Sequence, residues 1–143
     1  MELSQFTDYS LRVLLYASLR ENELSSVKEI ASAYAISRNH LVKVVHNLAK
    51  LGYRDTFPGK GGGITLGKPA EEIEIGKLVR ATENLTILEC FPSGKQTCCI
   101  AGVCELQTIL GKALQAFMDE LDKVTLADLM KKEPILRQRL GIK

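Results

Sequence analysis

No stretch of this chain approaches the roughly 20 consecutive apolar residues of a membrane-spanning helix. Its opening, Met-Glu-Leu-Ser-Gln-Phe-Thr-Asp, lacks the basic start and unbroken apolar segment of a signal peptide. Both absences lead us to expect a cytoplasmic protein without membrane partners. Cysteine pairs of the C-x2-C kind are also missing, which argues against a structural zinc knuckle, where two thiolates close one tight turn. The glycine-rich segment near residue 60 has no G-x-x-x-x-G-K-[ST] spacing and no helix directly behind it, so it is a poor nucleotide cradle. Histidine is scarce: there are 2, His40 and His46, and neither lies near a cysteine in sequence. No Ser/His/Asp or Cys/His constellation supports catalysis.

What is present is concentrated. All 4 cysteines fall between Cys90 and Cys104, in the run C-F-P-S-G-K-Q-T-C-C-I-A-G-V-C. Core packing would scatter them; one short window is the pattern of a soft-metal site, an iron–sulfur cluster or a redox switch. In a reducing cytoplasm the thiols stay free to ligate. The spacing is C-x7-C-C-x4-C. Neighbouring side chains diverge, so the Cys98-Cys99 doublet offers one ligand to a given ion. Cys90, one of the doublet, and Cys104 then make three thiolates, which leave a place for a fourth group.

Net charge over the 143 residues is only +2. Its distribution says more. From Ser26 to Lys68 the basic residues are Lys28, Arg38, Lys43, Lys50, Arg54, Lys60 and Lys68, against Glu29 and Asp55, a local charge of +5. A basic lobe on a nearly neutral protein is a footprint for phosphate.

The pattern in that lobe predicts a helix-turn-helix. Ser4–Arg20 reads as a buried first helix, free of Gly and Pro. Ser26-Val27-Lys28-Glu29 is a capping box. A turn at Ala35-Ile36 follows, and Ser37 can cap a second helix to about Leu51. On that helix Leu41, Val44, Val45, Leu48 and Leu51 share the inner face. Ser37, Arg38, Asn39, His40, Lys43 and Lys50 are the candidate DNA contacts on the outer side. Arginine can grip guanine and asparagine adenine, each with two hydrogen bonds; the lysines suit phosphate. Gly52–Phe57 and Ile64–Leu66 read as two strands around a glycine-rich turn, a wing whose Lys60 can lie over the DNA backbone.

Lys68-Pro69-Ala70 marks a boundary between a DNA-binding unit, residues 1–68, and a second unit, 69–143. A helix is expected from about Glu71 to Thr82, then the cysteine loop, then an amphipathic helix over Glu105–Lys123. Its stripe of Leu106, Ile109, Leu110, Ala113, Leu114, Phe117, Met118 and Leu121 is too long for so small a lobe to cover, and a homodimer would bury it. A short helix from Thr125 and a frayed basic end after Pro134 complete the reading. The fold class is mainly α with a small β-hairpin wing.

Five segments together resemble the Rrf-two family of winged-helix iron–sulfur regulators, and within it the repressors that sense nitric oxide. They are L-x-x-F-T-D-Y-x-L-R-V-L, S-R-N-H-L-V-K, G-K-x-G-G-I-x-L-G-K-P, the cysteine loop and T-L-A-D-L. The resemblance implies a 4Fe–4S cluster, or a 2Fe–2S one, on Cys90, Cys98 and Cys104. It implies a fourth ligand, Asp8, from the partner subunit, with Arg12 one turn later to hold that carboxylate. It implies a double-stranded DNA operator, released when nitric oxide attacks the cluster. The competing readings are a regulator of the same fold that senses iron–sulfur status or thiol redox state, and an iron–sulfur carrier or enzyme that does not bind DNA.

Overall fold

The computed structural model describes residues 1–21 and 23–143. Helix α1 spans Gln5–Leu19. Ser4 caps it, accepting a hydrogen bond from the Thr7 amide at 3.2 Å. The helix is the spine of the molecule: Val13, Leu14, Ala17 and Leu19 are buried along it. Helix α2, Val27–Tyr34, opens with the expected capping box, Ser26 and Glu29 bonding reciprocally. Ala35 closes it in the left-handed region, φ 53°, and the chain turns directly into α3, Arg38–Lys50. Ser37 stands at the N-cap of α3, but its hydroxyl makes no capping hydrogen bond, contrary to expectation. Leu41, Val44, Val45 and Leu48 are buried as the periodicity requires. Leu51 is exposed, because it lies beyond the last helical residue, where the chain has already begun to turn.

Strands β1, Arg54–Phe57, and β2, Gly63–Leu66, pair antiparallel with Arg54 opposite Leu66 and Phe57 opposite Gly63. The turn between them needs a bare backbone: a Cβ on Gly62 would sit 2.0 Å from the Phe57 carbonyl oxygen. Ser25 bridges to Ile64 and ties the wing to the segment before α2.

The helix expected from Glu71 begins later. Ala70–Glu72 forms one 3-10 turn, Ile73 and Glu74 run extended, and α4 is Ile75–Thr82. The extended pair is used: Ile75 N–H donates to the Val124 carbonyl and Leu126 N–H to Ile73, so the chain after the long helix is strapped to the start of α4. That long helix, α5, is Glu105–Asp122. The Thr125 segment makes a 3-10 turn, Ala127–Met130, and α6 follows at Glu133–Leu140. The basic end is not frayed. Pro134 sits in the first turn, where a proline costs no hydrogen bond. Arg137 donates to the Leu19 carbonyl at 2.5 Å, and Ile142 is buried.

One continuous core runs from Leu14, Leu41 and Leu48 through Ile73 and Leu78 to Met118 and Leu126. Helix α1 touches both ends of it. Ser4 N–H donates to Glu83 at 2.7 Å and the Thr7 and Thr82 hydroxyls meet at 3.1 Å, so the start of α1 is fixed to the end of α4.

Candidate nucleic-acid interface and cysteine loop

Burying the apolar side of α3 turns its opposite side to solvent. Ser37, Arg38, Asn39, His40, Lys43 and Lys50 are all exposed, and Lys60 is exposed on the wing. The helix carries no acidic residue in its first turn. Two members of the basic segment do not share this surface. Arg54 is only 8% exposed. Its Nε–H donates to the Val45 carbonyl and its Nη1 to Thr56 Oγ1. Burial pulls its pKa down, since a guanidinium loses hydration there. Sequence counting included Arg54 in the local charge of the basic lobe; the structure makes it the strut between β1 and α3. Lys68 lies over the Tyr53 ring at 4.6 Å, a local cation–π contact.

Asp8 lies in the first turn of α1, its side chain 42% exposed. Arg12 holds it by two contacts, Nη2 at 2.8 Å and Nε at 3.0 Å. The same guanidinium faces two rings, Tyr9 at 5.9 Å and Tyr34 at 5.6 Å. Tyr34 is the last residue of α2, and its ring also packs edge-on against Tyr16. Burial pushes the Tyr34 phenol up to about 12, and its hydroxyl has no hydrogen-bond partner among the described residues. Sequence reasoning found Asp8 and Arg12 but not Tyr34, because the α1–α2 crossing that brings it to Arg12 is tertiary.

All four cysteines are free thiols; Cys90, Cys98 and Cys104 are half-buried and Cys99 is exposed. The loop between α4 and α5 contains no regular element, yet it is closed on itself. Gln96 N–H donates to the Glu89 carbonyl at 2.8 Å, and Gly94 N–H to Phe91 at 2.7 Å. The long gap after Cys90 is therefore a folded-back turn, and the chain on its far side, leading to Cys98, returns toward Cys90. Gln107, in the first turn of α5, donates to the Cys90 carbonyl at 2.8 Å. Cys104 is the N-cap of that helix, where negative charge is favoured. Among the described residues no three cysteine, histidine or acidic side chains are gathered as a metal would need. The donor set still suits a thiophilic group: free thiols, three of them half-buried, on a loop tied to the start of α5 through Gln107.

The Rrf2 family profile, described as an iron-dependent transcriptional regulator, matches residues 3–132. The chain belongs to the Rrf2 family. Among Rrf2 relatives, the HTH-type transcriptional regulator NsrR of Bacillus subtilis is 51% identical over 140 residues, 96% of each chain. The NsrR of Bacillus licheniformis is 46% identical over 99% of this chain and 100% of its own. Solved structures agree on the fold. CymR, the global cysteine regulator of B. subtilis, superposes with a TM-score of 0.72 at 22% identity, covering 90% of this chain and 95% of that one. T. potens IscR gives 0.75 at 20% identity, over 92% and 88%. This Rrf2 chain is thus a DNA-binding transcriptional regulator with a winged helix-turn-helix, and not an enzyme. No helix among its described residues is long and apolar enough to cross a membrane.

Proposed function

We propose that the chain is a cytoplasmic, homodimeric repressor that senses nitric oxide through an iron–sulfur cluster, 4Fe–4S in type. Residues 1–68 read the operator, and residues 69–143 hold the cluster and the dimer contact. The observation that carries this reading is the pairing of a complete winged helix-turn-helix with four free thiols confined to one anchored loop, in a chain half-identical to NsrR regulators.

Cys90, Cys98 and Cys104 are the thiolate ligands. Cys98 is preferred over Cys99 because it is the half-buried member of the doublet. Gln107 positions Cys90 against the start of α5. When bound, the cluster supplies iron sites that take up nitric oxide. Asp8 is the fourth ligand, reaching the partner subunit's loop; an oxygen donor is held more weakly by such iron than thiolate is. Arg12 links this carboxylate to the DNA reader. Its guanidinium pairs with Asp8 and lies against the Tyr9 and Tyr34 rings at the same time. Tyr34 adjoins the turn that sets the angle of α3, so the state of Asp8 biases the recognition helix.

The stripe on α5 supplies the dimer contact. Leu106 and Ile109 remain 53% and 58% exposed in the single chain, as a face awaiting a second copy would be. On DNA, Arg38 and Asn39 address base edges, while Lys43, Lys50 and Lys60 address phosphates, with Ser37 and His40 beside them.

Anaerobic purification with iron and sulfide counting tests the cluster. About four of each per chain are expected; stoichiometric zinc without sulfide would overturn the reading. A mobility shift before and after nitric oxide tests the switch, and loss of the shifted band is the expected result.

A further inference from the structure

Helix α3 carries an apolar residue that its core face does not explain. Val42 is 48% exposed and is not among the apolar side chains packed against the core. Valine is β-branched, loses rotamer freedom in a helix, and has a lower helix propensity than the straight-chain residues that usually fill exposed positions. The site therefore carries a cost that packing against the core does not offset.

Its position suggests a use. Val42 is one turn after Arg38, three residues after Asn39 and one turn before His46, so the four side chains are neighbours on one face. Arg38, Asn39 and His46 are exposed beside it. In the major groove each base pair shows hydrogen-bonding edges and, for thymine alone, an apolar C5-methyl group. A patch of arginine, asparagine and valine matches guanine, adenine and thymine methyl respectively. The two methyl groups of valine are rigidly placed by its stiff χ1.

We propose that Val42 is a specificity-determining residue that packs on a thymine C5-methyl in each half-site of the DNA this protein binds. The inference rests on the DNA-binding reading of α3 and extends it from hydrogen bonding to apolar base readout. It makes the preference at one base pair depend on a methyl group and not on any hydrogen bond.

The test uses the full-length protein, purified anaerobically, and a duplex selected by it from a random-sequence pool. Each thymine of the selected duplex is replaced in turn by deoxyuridine, which removes the methyl and leaves every hydrogen-bonding edge intact. Wild-type protein should lose roughly fourfold in affinity at one thymine per half-site, about what burying one methyl supplies. Val42→Ala should bind the thymine and deoxyuridine duplexes within about 1.5-fold of each other at that position, because its short side chain no longer reaches the methyl. Val42→Ser, exposed and without the methyl groups, should behave the same way. Circular dichroism and thermal unfolding of both variants should match wild type, since the residue lies outside the core. If no deoxyuridine substitution weakens wild-type binding, or if the penalty persists unchanged in both variants, the assignment of Val42 is overturned. If no duplex is selected from the pool at all, the DNA-binding reading itself fails, and that result is distinct from the other two.

Discussion

Arg38, Lys43 and Arg54 are three cations within one sequence lobe, and their surroundings give them three different tasks. Arg38 is exposed at the start of α3. Arg38→Ala should cost about 1–3 kcal/mol of binding to the selected duplex and relax preference at one base pair, read from competition with single-base variants. Lys43 is exposed on the same helix but suited to phosphate. Lys43→Ala should weaken all duplexes alike and reduce the slope of log K against log salt by about one. Arg54 is buried, and its task is structural. Arg54→Ala should destabilise the fold by about 2–3 kcal/mol in urea unfolding, because the Val45 carbonyl is left without its partner beside a cavity. Counting charge along a sequence cannot separate these roles. Burial does so, and burial is a property of the folded chain.

Between elements, the α4–α5 contact depends on one missing side chain. Gly76 of α4 has Asp122 of α5 directly over it: a Cβ there would lie 1.8 Å from the Asp122 carboxylate oxygen. That carboxylate grips Arg80 through both nitrogens, at 2.5 and 2.7 Å. The hydrogen bond from Arg80 holds Asp122 below the usual carboxylate range. Gly76→Ala should push Asp122 away, loosen the base of α5, and lower the thermal midpoint by about 2–5 °C. The Ser26–Glu29 capping box supplies a second element-scale expectation. Ser26→Ala should cost about 1 kcal/mol. The bond from the Ser26 amide is the main cause that lowers the pKa of Glu29. A carboxyl whose folded pKa is depressed stabilises above its unfolded value and loses that contribution as pH falls through the folded one. The difference between wild type and Glu29→Gln should therefore shrink below about pH 4, the ordinary carboxylate range.

For the molecule as a whole, the proposed dimer and the cluster are the features a single chain leaves open. Ile109 is the sharper probe of the dimer, because Leu114 already packs against the chain's own core. Ile109→Glu should fold as wild type does, yet sediment as a monomer at micromolar concentration. A variant that remains dimeric would remove α5 from the interface. For the cluster, Cys90→Ala, Cys98→Ala and Cys104→Ala should each abolish iron and sulfide binding, and Cys99→Ala should not. Asp8→Ala should retain the cluster but respond differently to nitric oxide.

Much of this protein was determined by the sequence alone. The capping box at Ser26, the 3.6-residue period of α3 and the glycine-rich turn of the wing depend on near neighbours, so local chemistry settles them. The confinement of the cysteines is likewise a linear fact, and three of them were legible as a candidate ligand set. Other features were decided only by tertiary structure. The start of α4 moved from Glu71 to Ile75, because the Ile73 carbonyl and the Ile75 amide, on either side of Glu74, are taken up in hydrogen bonds with Leu126 and Val124. The end of the chain, read as frayed, forms α6, because Arg137 finds the Leu19 carbonyl and Ile142 finds the core. The contact of Arg12 with Tyr34, the burial of Arg54 and the exposure of Val42 likewise depend on how helices cross. Each brings together, or holds apart, residues whose separation along the chain carries no local signal. Periodicity specifies which side of a helix is apolar; only packing specifies what covers it.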